Sequence, residues 1–417
     1  MKRYEKYKPT GIQWLPEIPE HWNISKIKSH FRLRATKVSD KEYSALSVSK
    51  NGITPQLDSA VKTDNGDNRK LVKSGDFVVN SRSDRKGSCG ISSLDGSVSL
   101  INIVLEPLDG FGLFYHHLFR SNNYIEEFYR NGRGIVSDLW TTRWNEMSSI
   151  EIPFPPIDEQ KHIAAYLDKR ITLIENCKCQ RERELQTLNE LKQAEIASVV
   201  TRGLNPDVPM KDSGQIQFGK VPAHWDTIKL KYCFNQRSEK GFPNEPVLCA
   251  TQSKGVIPQS LYENRVVVVN KGFDGLKLVK VGDFVISLRS FQGGIEYAYY
   301  QGIISSAYTI LTPKDEHNSR YFKYLFKSHP FIQLLQTCVT GIREGQNINY
   351  SVLGNNFIPV PPIEEQNAIV EYIESKTNKI DTMIEALKAE IDRLTEYKQR
   401  LISDVVTGQI DVRGEQI

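Results

Sequence analysis

The chain writes one short phrase twice: PFPPIDEQ from Pro153 and PVPPIEEQ from Pro359, 206 residues apart. After each phrase no Gly or Pro appears until Gly203 and Gly408 respectively. Pro155-Pro156 and Pro361-Pro362 forbid a helix running in from upstream. Asp158-Glu159 and Glu364-Glu365 then put carboxylates into a first helical turn, where the dipole favours them. The pattern predicts two helices of over 40 residues, each about 65 Å long at 1.5 Å per residue. A helix of that length cannot bury its apolar stripe within one small domain, so it needs a partner helix.

The stripe can be traced by alternating steps of four and three. In the second copy these land on Ile373, Thr377, Ile380, Ile384, Leu387, Ile391, Leu394, Lys398, Leu401 and Val405, of which eight are aliphatic. The same frame 206 residues earlier gives Leu167, Ile171, Ile174, Lys178, Arg181, Leu185, Leu188, Lys192, Glu195 and Val199, of which six are aliphatic. A sustained 3.5-residue repeat is the signature of a coiled-coil seam. The available partner is the other copy, paired antiparallel. The alternative is two separate helices, each on its own domain, with about half of each apolar stripe left in water.

The duplication runs through the whole chain. GIQWLPEIPEHW from Gly11 answers to GQIQFGKVPAHW from Gly214, VKSGDFVVNSRS from Val72 to VKVGDFVISLRS from Val279, and GSVSLINIVLEP from Gly96 to GIISSAYTILTP from Gly302. FRS at Phe119 matches FKS at Phe326, and VVTRGL from Val199 matches VVTGQI from Val405. Each copy is domain-sized, so this is a duplicated unit and not a solenoid. Asp76–Asn80 and Arg265–Asn270 are short β-branched runs between Gly, Asp or Asn and predict strands; SGD and VGD predict tight turns before the GDF runs. FGLFYHHLFRSNNYIEEFYR and SRYFKYLFKSHPFIQLLQT carry apolar residues at helical spacing, each predicting one helix. The expected fold is α+β: two homologous domains over 1–155 and 205–361, each followed by a long helix, over 156–204 and 362–417, with the antiparallel pair giving approximate two-fold symmetry.

Charge follows the same division. Net charge is +4 over residues 1–155 and +5 over 206–360, against 0 over 156–205 and −5 over 361–417. Two mildly basic blocks suit a polyanion without requiring one. The six cysteines form no CxxC pair, and scattered thiols fit a reducing compartment, hence the cytoplasm. No run of 18 apolar residues crosses a membrane and the N-terminus lacks the apolar core of a secretory signal.

Two variable domains, each leading through IPFPPIDEQ or IPVPPIEEQ into a long helix, resemble the specificity subunit of type I restriction–modification systems. The IPEHW and VPAHW openings, the GDFVVNSRS and GDFVISLRS segments and the VVTRG and VVTGQ endings fit the same family over essentially all 417 residues. The resemblance implies two target recognition domains, each reading half of a bipartite double-stranded DNA site in a bacterial or archaeal cytoplasm. It implies helices that set the spacing and dock two copies of a modification (methyltransferase) subunit, with restriction/translocase subunits beside them. No cofactor is then expected on this chain; S-adenosylmethionine belongs to the partner methyltransferase. Unlike domains imply an asymmetric site, with half-site centres about one duplex turn, roughly 34 Å, apart.

Candidate DNA contacts follow from chemistry at equivalent positions. Ser81, Arg82, Ser83, Arg85 and Lys86 lie just past a predicted strand, and answer to Ser287, Arg289, Ser290 and Gln292. Arginine reads guanine bidentately, while Ser and Lys suit phosphate. Shared residues such as Arg82 and Arg289 would position the backbone; the unshared Asp84/Arg85/Lys86 and Phe291/Gln292/Gly293 would carry base choice. A second pair of Gly-rich segments holds Arg133 and Arg143 in one copy and Arg343, Gln346 and Asn347 in the other; Gln and Asn can read adenine. Lys50-Asn-Gly52 and Lys254-Gly255 occupy equivalent early loops. A solvated turn with a structural arginine, and a loop capping the preceding helix, are the competing readings. Trp14, Trp22 and Trp225 read as packing residues, His116 and His117 as structural, and the acid pairs as helix-start charges.

No residue pattern for catalysis is expected. Asn205-Pro-Asp lacks the second proline and aromatic of an amino-methyltransferase loop, no Gly-rich phosphate loop follows a strand, and no cluster has metal-ligand spacing. The reading is therefore a non-catalytic subunit. Alternatives are a specificity subunit serving only a methyltransferase or another bipartite-site system, and a coiled-coil scaffold that never touches DNA.

Overall fold

The computed structural model describes residues 2–56, 66–134, 140–262, 272–314, 317–340 and 347–416. The predicted strand Arg265–Asn270 lies outside them. The chain divides into two compact units: Met1–Glu182 with Lys388–Ile417, and Arg183–Leu387. Both boundaries fall inside the long helices, Ile157–Arg202 and Ile363–Val406, so each unit takes a part of each helix.

The first unit is built on a four-stranded antiparallel sheet in the order Cys89–Ile91, Phe77–Asn80, Asn102–Pro107, Phe31–Leu33. Its register pairs Val79 with both Cys89 and Ile103, and Phe77 with Leu105. Gly75 turns the chain into this sheet at φ 92°. The buried Asp76 that follows accepts from Arg34 Nε at 2.7 Å and from the Lys73 amide at 2.9 Å. The second unit repeats the order with Phe234–Arg237, Thr309–Pro313, Phe284–Ile286 and Glu296–Tyr297. There Gly282 has φ 91° and Asp283 accepts from Arg237 Nε at 2.8 Å. The two GD turns thus serve one purpose: glycine supplies the left-handed backbone and the carboxylate anchors an arginine at the end of the sheet's edge strand, one strand further across.

Each predicted aromatic helix is in fact two. Gly112–Phe119 breaks at Arg120 before Asn122–Arg130, and Ser319–Leu325 breaks before His329–Thr337. Apolar spacing continues through the break, which hides it. The cause is a local cap: Ser121 Oγ accepts from the Tyr124 amide, and at the second break Ser328 holds the N-cap position ahead of Pro330.

The repeated proline phrase has a specific structural use. Gln160 is fully buried; its amide donates to the Pro155 carbonyl at 2.8 Å and its oxygen accepts from the Phe111 amide at 2.8 Å. Gln366 makes the same pair with Pro361 (2.8 Å) and Asn318 (2.9 Å). The second acid of each pair is also an anchor. Glu159 accepts from Tyr4 and meets His21 Nε2 at 2.8 Å, while Glu365 meets His224 Nε2 at 2.8 Å and accepts from Trp225 Nε1 at 2.9 Å. Asp158 and Glu364 remain exposed helix-start charges.

Every position of the heptad frame is buried or half-buried, the polar ones included. In the first unit Leu167, Ile171 and Ile174 share a core with Leu394, Leu401 and Val405, and Arg181 Nε reaches Glu390 at 3.0 Å. Ile391 is half-buried there. Lys398 Nζ reaches Glu175 at 2.5 Å, which holds the Glu175 carboxyl below its usual range. In the second unit Ile196, Val199 and Val200 share a core with Ile369, Val370 and Ile373. There Lys192 Nζ meets Asp381 at 2.6 Å and Tyr372 donates to Glu195 at 2.6 Å. Leu185, Leu188, Ile380, Ile384 and Leu387 complete that stretch. One helix's numbers rise as the other's fall, so within each unit the segments run antiparallel.

Trp22 and Trp225 are fully buried in the two cores. The phrase VVT at the end of each long helix packs on the opposite copy's opening tryptophan segment. Val405 and Val406 join Trp22 in one core, and Val199 and Val200 join Trp225 in the other.

Candidate nucleic-acid interface

In the first unit, strand Phe77–Asn80 delivers the chain into the turn that holds the candidate cations. Ser81 is buried; its hydroxyl donates to the Ile101 carbonyl at 2.6 Å and its carbonyl accepts from the Thr142 amide at 3.0 Å. It therefore anchors the turn and does not face solvent. Arg82 follows, its amide on Asn80 Oδ1 at 3.1 Å, and the backbone then makes the 3-10 turn Ser83–Arg85. Thr141 bridges Arg82 on one side and exchanges both backbone hydrogen bonds with Arg133, at 3.0 Å each, on the other.

The two segments singled out separately in the sequence are thus one surface. Arg82, Arg85, Lys86, Arg133 and Arg143 are all exposed on it. Their ion pairs are loose or exposed: Arg85 lies 3.6 Å from Asp84, Lys86 3.0 Å from Glu126 and Arg133 3.5 Å from Glu146. Such pairs are worth about 0–1 kcal/mol, so the cations can be exchanged onto phosphate or base at small cost. The Arg143 amide donates to Glu146 at 3.2 Å, and starts the short helix Trp144–Met147. Gly132 admits no side chain, since a Cβ there would lie 2.2 Å from the Trp140 ring. Beside this surface a cleft of about 570 Å³ is lined by Trp14, Lys86, Tyr129 and Trp140 among others.

The second unit builds its counterpart the same way. Strand Phe284–Ile286 leads to Ser287, whose amide donates to Ser290 Oγ at 2.8 Å. Ser290 is buried and starts the short helix Ser290–Gly293, leaving Arg289 and Gln292 exposed on its rim. This turn packs against helix His329–Thr337 and against strand Asn347–Ile348, so Asn347 lies on the same face. Asn347 is exposed and pairs with Thr340 in a two-residue ladder. Arg343 and Gln346 lie outside the described residues, and nothing is described of the Ser83 side chain.

Each early loop is held by a cation from the break between the two aromatic helices. Arg120 donates to the Lys50 carbonyl, and Lys327 donates to that of Gln252 at 3.3 Å. Both cations come from the FRS and FKS triplets, a repeat visible in the sequence but assigned no role there. Thr141 and Thr142, which weld the first surface together, carry no comparable signal: their function is in backbone hydrogen bonds. His117 Nε2 meets Asp168 at 2.8 Å beneath the domain, and burial pushes the His116 imidazole down to about 4. Among the described residues no cluster of His, Cys, Asp and Glu is placed to hold a metal ion, and no helix is long and apolar enough to cross a membrane.

Residues 222–393 match the type I restriction modification DNA specificity domain. The chain is 26% identical over 281 residues to a putative type I restriction enzyme MjaX specificity subunit of Methanocaldococcus jannaschii, covering 64% of this chain and 61% of that one. It is 22% identical over 323 residues to the EcoBI specificity subunit of Escherichia coli, covering 71% and 65%. The matches thus span less than two thirds of the length of these relatives. In fold it is similar to a chain from a structure of type I R-M system assembly and conformational transition (TM-score 0.70, 16% identity, 94% and 99% covered). It is also similar to the HsdS subunit of Thermoanaerobacter tengcongensis (TM-score 0.50, 19% identity, 94% and 98% covered). A specificity-domain match on the second copy, relatives whose aligned stretch is longer than one copy, and a common fold along nearly the whole length all point the same way: the chain is similar to the specificity subunits of type I restriction–modification systems.

Proposed function

We propose that this chain selects the DNA sequence on which a type I restriction–modification complex acts, reading one half of a bipartite, asymmetric duplex site with each α+β recognition domain. The observation that carries the reading is the duplicated turn: the same strand delivers Arg82 in one unit and Arg289 in the other to an exposed rim. Around those shared arginines the rims differ, with Asp84, Arg85 and Lys86 against Phe291, Gln292 and Gly293. Shared cations on phosphate set register, and unlike neighbours read unlike base edges.

Chemistry is left to partners. Two copies of a methyltransferase subunit, holding S-adenosylmethionine, dock on the helices, and restriction/translocase subunits complete the complex in the cytoplasm. Residues 1–155 and 205–361 act as the recognition domains, and helix length sets the distance between half-sites.

The test is charge reversal. Arg82→Glu and Arg289→Glu, made singly in the full chain, are each expected to abolish preference for one half-site, read by selection from a randomised duplex library with the assembled complex. Retention of full sequence preference by both variants removes these turns as contacts. Absence of any sequence-specific binding by the wild-type complex returns the chain to a protein scaffold.

A further inference from the structure

Phe326, Lys327 and Ser328 form the break between helices Ser319–Leu325 and His329–Thr337. The Lys327 ammonium donates to three acceptors: Glu296 Oε1 at 2.7 Å, the Gly293 carbonyl at 2.8 Å and the Gln252 carbonyl at 3.3 Å. Gly293 closes the turn that carries Arg289 and Gln292, and Gln252 opens the loop that carries Lys254. One cation therefore ties together two loops on the rim of the second unit.

The turn is seated on this break by shape as well. Gly294 has φ 84°, and a Cβ there would lie 2.2 Å from the Phe326 carbonyl oxygen. A Cβ on Gly293 would lie 3.0 Å from the Gln252 side chain. The anion behind the lysine is costly. Glu296 is 1% exposed, and its Oε2 has no hydrogen-bond partner among the described residues. Burial raises its carboxyl above the usual range. A well-packed apolar side chain at such a site is often neutral or stabilising relative to an ion pair, so fold stability does not account for it. What the pair supplies is direction: a buried carboxylate fixes where the ammonium points. The first unit uses the same position, where Arg120 donates to the Lys50 carbonyl.

We infer that Lys327 is a positioning residue for sequence reading by the second unit, holding the Arg289–Gln292 turn and the Gln252 loop as one rigid surface. The inference rests on the reading of that turn as a DNA contact. Lys327 itself touches no DNA: its donors are taken up within the protein.

The full chain in its assembled complex is the test, with duplexes carrying the selected site or the site altered in one half. Lys327→Met is expected to lower the cognate-to-altered affinity ratio for the half read by the second unit by roughly tenfold, the effect of one charged hydrogen bond. The ratio for the other half and the salt dependence of non-specific binding stay unchanged. Lys327→Arg retains most of the discrimination. Should Lys327→Met not yield folded protein, Glu296→Gln is read by the same criterion. An unchanged ratio, an equal loss for every sequence, or no rescue by Lys327→Arg overturns the positioning role while leaving DNA reading intact. Absence of sequence preference in the wild-type complex overturns both.

Discussion

Gln160 accepts the backbone N–H of Phe111 at 2.8 Å, joining the start of a 46-residue helix to the start of an eight-residue one. Its amide nitrogen meanwhile satisfies the Pro155 carbonyl. Gln160→Leu keeps the volume and strands the buried Pro155 carbonyl and the part-buried Phe111 amide. A loss of about 2–4 kcal/mol is expected in chemical denaturation, from two unsatisfied groups at 1–3 kcal/mol each, partly relaxed. Gln366→Leu is expected to act alike. A change below about 0.5 kcal/mol for both would reduce the repeated glutamine to a solvated cap.

Gly408 and Gly214 share φ 74° but differ in surroundings. A Cβ on Gly408 would lie 2.4 Å from Pro19 and 3.1 Å from Trp22, whereas one on Gly214 meets nothing within 4 Å. Gly214→Ala is expected to cost about 1 kcal/mol from backbone strain alone. Gly408→Ala adds a clash with the core and is expected to cost at least roughly 1 kcal/mol more. Thermal melts of the two variants compare them directly, and equal costs would remove the clash as a cause.

Acid should weaken the first unit through His116. Its folded imidazole is pushed down to about 4 by burial, then by Arg120 and His117. The ordinary value is near 6.5, so between the two the unfolded chain binds the extra proton. Stability present at neutral pH is therefore lost as pH falls from about 6.5 to about 4, by up to roughly 3 kcal/mol. Asp168, held below its usual range by the hydrogen bond from His117, adds its loss only further into acid. His116→Gln should flatten the fall in melting temperature between pH 7 and pH 5. An identical slope in wild type and variant would rule out His116 as its source.

The helix seam should tolerate loss of its ion pairs far better than loss of its aliphatic residues. Lys398 and Glu175 are partly exposed, and such a pair is worth about 0–1 kcal/mol. Lys398→Leu is expected to be neutral or slightly stabilising. Leu401→Ala, at a position 2% exposed, is expected to cost about 2–4 kcal/mol in denaturant titration. The reverse order would mean that charge, and not burial, holds this stretch.

Helix length can be probed as a ruler. Four residues inserted after Leu188 lengthen that helix by about 6 Å. The preferred spacer in selected DNA is expected to grow by about one or two base pairs, at 3.4 Å each, with both half-sites kept. Altered half-site sequences at constant spacing would contradict the ruler.

The long helices and their seam were legible because two strong local rules agree along 40 residues: no breaker, and one apolar stripe. The heptad frame even selected the polar residues that are shielded, Arg181, Lys192, Glu195 and Lys398. The breaks at Arg120 and Phe326 were missed because apolar spacing continues through them, while a capping serine at the first and Pro330 at the second start a new helix. The candidate surface was half legible. Type and spacing picked out Arg82 and Arg289, both exposed, but also Ser81 and Ser290, which are buried. A serine after a strand reads the same whether its hydroxyl faces solvent or a carbonyl such as Ile101. The joining of the 81–88 and 131–143 segments through Thr141 depends on backbone pairing between residues about 60 positions apart, on which side-chain pattern is silent. Glu159 and Glu365 were read as dipole charges because the helix start explains them sufficiently; their partners His21 and His224 lie some 140 residues away.

The second unit is one uninterrupted stretch, Arg183–Leu387, whereas the first lacks its closing piece until Lys388–Ile417 is made. That piece supplies Val405, Val406 and Val412 to the core around Trp22, and the Asp411 amide donates to the Lys2 carbonyl at 2.9 Å. On the ribosome, at about 5–20 residues per second, the later-starting unit therefore has its full complement of residues first. The earlier one waits with Trp22, Leu15 and Ile18 short of their neighbours, so birth order and completion order are reversed, and the nascent chain carries an unfinished apolar face until residues 388–417 are made.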